Sequence, residues 1–232
     1  MLGQRLGTAE AHGELHQLER VEESEGGGLT SIDLDIEGAA VAEPESVDRR
    51  SRAIAALQGD LAAEGIDLEV SLTLPVLPQG LTHDGLATVQ SAADAGVDGV
   101  AVNLMAMDYG DSAAPDPDGQ MGQYAIDAAN NTAAQLLAVW PALSAQQRLQ
   151  RVGLTPMIGR NDVTTEFFHT ADAVQVGEFA KANGLGRLSW WSANRDRPCA
   201  GGPSPWASPV CHSGTTAEWG FAAAFLQGVG AG

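Results

Sequence analysis

From residue 29 onward the chain repeats one pattern five times: a short apolar stretch, then a longer amphipathic one. Strand character is expected at 31–37, 68–74, 100–107, 152–158 and 187–191, and helical character at 45–64, 83–95, 123–140, 170–183 and 216–227. Gly65, Gly96 and Gly184 close the first, second and fourth helices, and Pro75 stops the second strand. Alternating strands and helices imply parallel strands joined by right-handed crossovers, the α/β class. A closed (β/α)₈ barrel takes about 250 residues, near 30 per unit. The expected architecture is therefore a partial TIM (β/α)₈ barrel of about five parallel βα units, with the front of the barrel missing and an open sheet edge on either side. Exposed edges imply self-association.

Strand side chains alternate between faces, which assigns each residue a side. In 31–37, Ile32, Leu34 and Ile36 share one face and Asp33, Asp35 and Glu37 the other. The apolar face suits packing under helices, so the acidic face points inward and climbs toward the C-terminal strand end, where such barrels do their chemistry. Three carboxylates on an inward face are no structural default, because each buried ion costs several kcal/mol, and neighbouring like charges push at least one pKa upward. The same parity turns Asn103, Met105 and Met107 inward on the third strand, Thr155 and Met157 on the fourth, and Ser189 and Trp191 on the fifth. Trp190 then faces outward as a packing residue, and Met157 reads as interior filling.

Thirty acidic residues against 12 basic ones give a formal net charge of −18. That excludes nucleic acid and anionic membrane as partners, since phosphate binding needs Lys and Arg. No apolar run approaches the ~20 residues of a membrane span, and from the polar, acidic start no signal peptide is expected. Residues 38–45 hold no glycine-rich phosphate loop. Residues 1–29 are expected as an acidic non-barrel segment, a short helix or disordered, ahead of a catalytic unit at 30–232. Cys199 and Cys211 sit in a Pro/Gly/Ser-rich stretch and either form a disulfide, which would suggest an oxidising compartment, or stand as two unpaired loop thiols. His83, His169 and His212 lack metal-ligand spacing and read as surface residues. No metal or organic cofactor is implied.

The segment Thr30-Ser31-Ile32-Asp33-Leu34-Asp35-Ile36-Glu37 resembles the DxxDxDxE signature of glycoside hydrolase family 18, the chitinase family, on the fourth barrel strand, with Thr30 in place of the first Asp. Residues 102–110 (VNLMAMDYG) resemble the family's sixth strand, 155–162 (TPMIGRND) a seventh strand of bacterial members, and 188–196 (LSWWSANRD) the eighth, with its Trp under the bound sugar. The cysteine loop is similar to the same bacterial subgroup. The resemblance covers roughly 29–230 and makes the five units strands 4–8 of the barrel.

The resemblance implies hydrolysis of β-1,4-linked N-acetylglucosamine polymers with retention, assisted by the substrate, a family exception to the two-carboxylate rule. Glu37 is then the general acid, Asp35 orients the substrate's acetamide, and Asp33 shares a proton with Asp35. Tyr109, Asp108 and Met105 are implied at the acetamide group and Trp191 beneath the sugar. Many members carry Met-x-Tyr-Asp here, whereas this chain has Met105-Ala106-Met107-Asp108 with its tyrosine at 109. The implied partner is chitin or its oligosaccharides, and the parent enzyme would be extracellular. An endo-β-N-acetylglucosaminidase is the closest alternative activity. An inactive truncated fragment, or a weak chitin-binding module, is the alternative that needs no catalysis.

Overall fold

A computed structural model describes residues 18–23 and 29–231. The elements run β1 (Leu18–Glu23), β2 (Leu29–Asp35), α1 (Ala39–Ala42), α2 (Pro44–Ala63), β3 (Glu69–Leu77), β4 (Gly80–Leu81), α3 (His83–Asp94) and β5 (Ala101–Ala106). There follow α4 (Met121–Val139), α5 (Ala145–Leu149), β6 (Val152–Pro156), β7 (Gly159–Arg160), β8 (Phe167–Phe168), α6 (Thr170–Asn183), β9 (Arg187–Leu188) and α7 (Gly220–Val229).

Helix boundaries follow local chemistry. Pro44 opens α2, where its missing N–H costs nothing. The Thr82 hydroxyl caps α3 by accepting the Gly85 N–H at 3.1 Å. Ser144 and Gln147 form a reciprocal capping box on α5. Gly184 ends α6 in the left-handed conformation, φ 60°. The last helix starts at Gly220 and not near residue 216, because Trp219 ahead of it is left-handed, φ 61°.

The five expected strands are present and parallel, paired in the order β2-β3-β5-β6-β9, with intervening helices as crossovers. This is a half-barrel of the TIM type. Between 18 and 23, within the acidic stretch read as helix or disorder, the chain forms β1, antiparallel to β2 along its outer edge. The remainder of that stretch lies outside the described residues. Two short hairpins were not expected: β4 folds back on β3, and β7 pairs with β8 beyond the end of β6. Among the described residues no helix is long and apolar enough to cross a membrane.

Strand parity holds throughout. Ile32, Ile36, Val70, Leu72, Leu74, Val102, Leu104 and Leu154 are buried in one core beneath the helices. Trp190 packs against that core and stacks on Phe225 of α7, centroids 5.3 Å apart. The opposite face is concave, as one contact proves. Arg187 of β9 places Nη1 3.6 Å from Asp33 Oδ1 of β2. Those strands stand four spacings apart, roughly 19 Å across a flat sheet, more than the two side chains and their gap can span. Only a curled sheet brings them together.

Helices α6 and α7 approach closely where two glycines face each other. A Cβ on Gly228 would lie 2.4 Å from the Val174 carbonyl oxygen and 2.9 Å from Gly177 Cα. Gly228→Ala is expected to destabilise by about 1–3 kcal/mol, since overpacking outweighs the gain in helix propensity. Thermal unfolding should show a fall of several degrees, and an unchanged or raised Tm would contradict the packing.

Candidate active site

The acidic strand delivers its carboxylates as a graded series. Asp33 and Asp35 are half-buried on the concave face, and Glu37, just past the end of β2, is exposed at the C-terminal rim. Their neighbours follow from register. Asp35, Thr73, Asn103, Gly153 and Arg187 form one row of Cα partners across the five strands. Hydrogen bonds run along this face. Thr73 Oγ1 donates to Asp33 Oδ2 at 2.8 Å, Asn103 Nδ2 donates to Thr73 Oγ1 at 3.0 Å, and Thr155 Oγ1 donates to Asn103 Oδ1 at 3.0 Å. A half-buried carboxylate is thereby held by a hydroxyl whose own partners are fixed.

Thr73 and Arg187 carried no assigned role in the sequence, although parity marks both. Ser71 and Thr73 alternate with Val70, Leu72 and Leu74, and Arg187 shares a face with Ser189 and Trp191.

Above this row, Met105 pairs in register with Thr155, and both are half-buried on the inner face. Met157 is buried, as interior filling requires. Trp191 bridges to Met157 and is 49% exposed, leaving indole surface free at the rim. A cleft of about 390 Å³, lined by Ser31, Glu69, Ser71, Ala101, Gly186 and Arg187, opens at the N-terminal strand ends, away from Glu37.

The structure does not bring Tyr109 onto the concave face. Its ring is buried and packs edge-on against Tyr124 of α4, centroids 6.2 Å apart. Burial, then the nearby Glu166 and Asp127 carboxylates, hold its phenol well above the usual range. Asp108 has a left-handed backbone, φ 51°, and its Oδ1 accepts the Val163 N–H at 2.8 Å. Asn161 Oδ1 accepts the Asp108 N–H at 3.3 Å, and Glu166 Oε1 accepts the Gly110 N–H at 2.8 Å. Asp108, Asn161 and Glu166 thus clamp the loop after β5 to the chain between β6 and β8. Glu166 is fully buried and sits in a loop without periodicity, so no sequence pattern marks it.

The rim beneath Trp191 is built on a buried cation. Arg195 donates to the carbonyls of Ile158 at 3.0 Å, Arg160 at 2.7 Å and Ser208. Its neighbour Asp196 accepts the Phe221 and Ala222 N–H groups at 3.0 and 2.7 Å, capping α7 from a distance. Cys199 and Cys211 are disulfide-bonded across this loop. His212, read as a surface residue, is fully buried. Its Nε2 donates to the Thr216 carbonyl at 2.8 Å and its Nδ1 accepts the Gly214 N–H at 3.0 Å, so the ring is part of the loop's frame. His83 and His169 are on the surface. Among the described residues no group of three or more His, Cys, Asp or Glu is placed to hold a metal ion.

No protein-family model matches the chain. It is 38% identical over 181 residues to the probable bifunctional chitinase/lysozyme of Escherichia coli (strain K12), covering 76% of this chain and 20% of that protein. It is 38% identical over 176 residues to Endochitinase 11 of Metarhizium anisopliae, covering 74% of this chain and 34% of that protein. The catalytic domain of the hyperthermophilic chitinase from Pyrococcus furiosus superposes with a TM-score of 0.74 at 31% identity, covering 87% of this chain and 61% of that one. Catalytic-site mutants of active domain 2 of that organism's thermostable chitinase, complexed with chito-oligosaccharides, give 0.74 at 30% identity, covering 88% and 61%. The chain therefore spans less than two thirds of each of these relatives.

Three carboxyls, Glu166 and Asp172 buried and Asp108 half-buried, set a pH dependence. Asp108, Glu166 and Asp172 are all raised above their ordinary values, first by burial. A carboxyl raised in the folded state contributes stability that is present below its unfolded value and lost as pH rises through its folded one. The ordinary values are 3.8 for the aspartates and 4.5 for the glutamate, so this loss begins near pH 4 and proceeds upward. Tm should fall as pH rises above about 4, and Glu166→Gln should flatten that fall while keeping an acceptor for Gly110. Equal slopes in wild type and variant would show that Glu166 does not titrate in this way.

Proposed function

The chain belongs to the chitinases of glycoside hydrolase family 18, and on that premise we propose that it hydrolyses β-1,4-linked N-acetylglucosamine chains by substrate-assisted catalysis with retention. The observation carrying this reading is the graded placement of the three carboxylates: two half-buried on the concave face, the last exposed at the rim where a polymer can reach it.

Glu37 donates its proton to the glycosidic oxygen as the bond to the anomeric carbon breaks. The substrate's own acetamide carbonyl oxygen attacks that carbon and forms an oxazolinium ion. Asp35 accepts the acetamide N–H and stabilises the positive charge developing on the ring. Charge preorganised in this manner is usually the largest catalytic contribution. Glu37, now a carboxylate, removes a proton from the water that opens the oxazolinium, and retention follows from two inversions. Asp33 supports Asp35 from below, braced by Thr73.

Trp191 offers the apolar indole face on which a sugar's C–H surface rests, and Met105 lines the floor between them. Asp108 and Tyr109 act by shaping the loop at the acetamide end, since Tyr109 is packed against α4. Residues 30–232 constitute the catalytic unit, and chito-oligosaccharides are the soluble substrates. The Cys199–Cys211 disulfide supports action in an oxidising, extracellular setting.

Turnover of a chromogenic chitobioside or chitotrioside tests the reading. Glu37→Gln should lower kcat by about 10²–10⁴-fold with Tm unchanged, the range expected for loss of a general acid. Equal activity in variant and wild type would remove Glu37 from the mechanism. A wild-type chain that is retained on chitin without turnover would favour a binding module over an enzyme.

A further inference from the structure

Arg187 opens β9 and lies in none of the segments that resemble the family's motifs. Its Nη1 stands 3.6 Å from Asp33 Oδ1 and donates to Ser71 Oγ at 3.5 Å. The other carboxylate oxygen of Asp33 is the one that accepts the Thr73 hydroxyl. Asp33 is therefore gripped from two sides, by its adjacent strand and by the strand at the far edge of the sheet. The route across the sheet is open because position 153 is glycine. A Cβ there would come within 2.9 Å of Asn103 Oδ1 and 3.0 Å of Arg187 Cβ. Any side chain on Gly153 would displace either the amide that orders Thr73 or the stem of the arginine.

On the reading of the carboxylates set out above, we propose that Arg187 is a positioning residue for the reaction. It fixes Asp33, and through Asp33 the neighbouring Asp35, in the orientation that receives the acetamide group. Asp33 and Asp35 project from one face of one strand, where their like charges repel. A cation against the lower carboxylate offsets that repulsion without entering the substrate's space. The contact runs through one guanidinium nitrogen and is not a bidentate fork, so a lysine ammonium can supply most of it.

The test uses the whole chain and the variants Arg187→Met, Arg187→Lys, Asp33→Asn and Arg187→Met/Asp33→Asn. On chromogenic chitobioside, Arg187→Met is expected to lose about tenfold in kcat with KM within about twofold, the pattern of lost transition-state stabilisation. Arg187→Lys should recover most of that loss. In the Asp33→Asn background the same Met substitution should cost less than about threefold, because the partner is already gone. A rise in KM at constant kcat, a lysine variant no better than methionine, or costs that simply multiply would each overturn the proposal. Absence of turnover in the wild-type chain would sink the enzymatic reading separately. The same cycle read by Tm then decides whether Arg187 holds Asp33: non-additive shifts support the grip, and additive shifts overturn it.

Discussion

The architecture depends on reconciling two faces of one strand. Strand β2 sends Ile32 and Ile36 into the core beneath the helices, and this obliges Asp33 and Asp35 to project into the concavity. Carboxylates cannot be left there without compensation, because desolvation costs several kcal/mol per ion. The sheet meets that cost with Thr73, ordered by Asn103 and Thr155, and with Arg187 from the opposite edge. Curvature is what makes the last contact geometrically available. The fold that buries the apolar face is thus the same one that gathers groups around the acidic face.

The rim obeys a related rule with the roles exchanged. On the concave face, side chains satisfy a charge. In the rim loops, charges satisfy backbone. Arg195 takes up carbonyls of the chain after β6, of β7 and of the cysteine loop, and Asp196 takes up N–H groups at the start of α7. Asp172 does the same for two helices, accepting the His169 N–H at 2.7 Å and the Gly122 N–H at 3.0 Å. Irregular segments leave backbone groups without ladder partners, and buried ones must be paired. Three buried charged side chains here replace the regular structure that these loops lack, and the disulfide closes the segment that hangs from Arg195.

The strands and long helices were legible because each repeats a short-range pattern. Periods of two and 3.6 residues read directly as faces, and Gly, Pro, Ser and Thr mark the ends. Asp33, Asp35 and Glu37 were legible for the same reason, as were the inward Asn103, Met105 and Thr155. The β7–β8 hairpin, β1, Glu166 and the burial of His212 were not. Each depends on partners far along the chain: Gly110 for Glu166, the strand β2 for β1. A pattern within one segment carries no record of such partners. Tyr109 shows the same limit from the other side, since its burial against Tyr124 of α4 depends on a residue outside its own segment.

Sequence alone determined the α/β class, the parallel order of five βα units and the face on which the carboxylates stand, because strand parity and helix periodicity are properties of neighbouring residues. Tertiary structure alone decided how far the sheet curls, which residues from distant strands meet Asp33, and which buried charges hold the rim. Those outcomes depend on distances between segments tens of residues apart, and such distances exist only once the whole sheet has curled and packed under its helices.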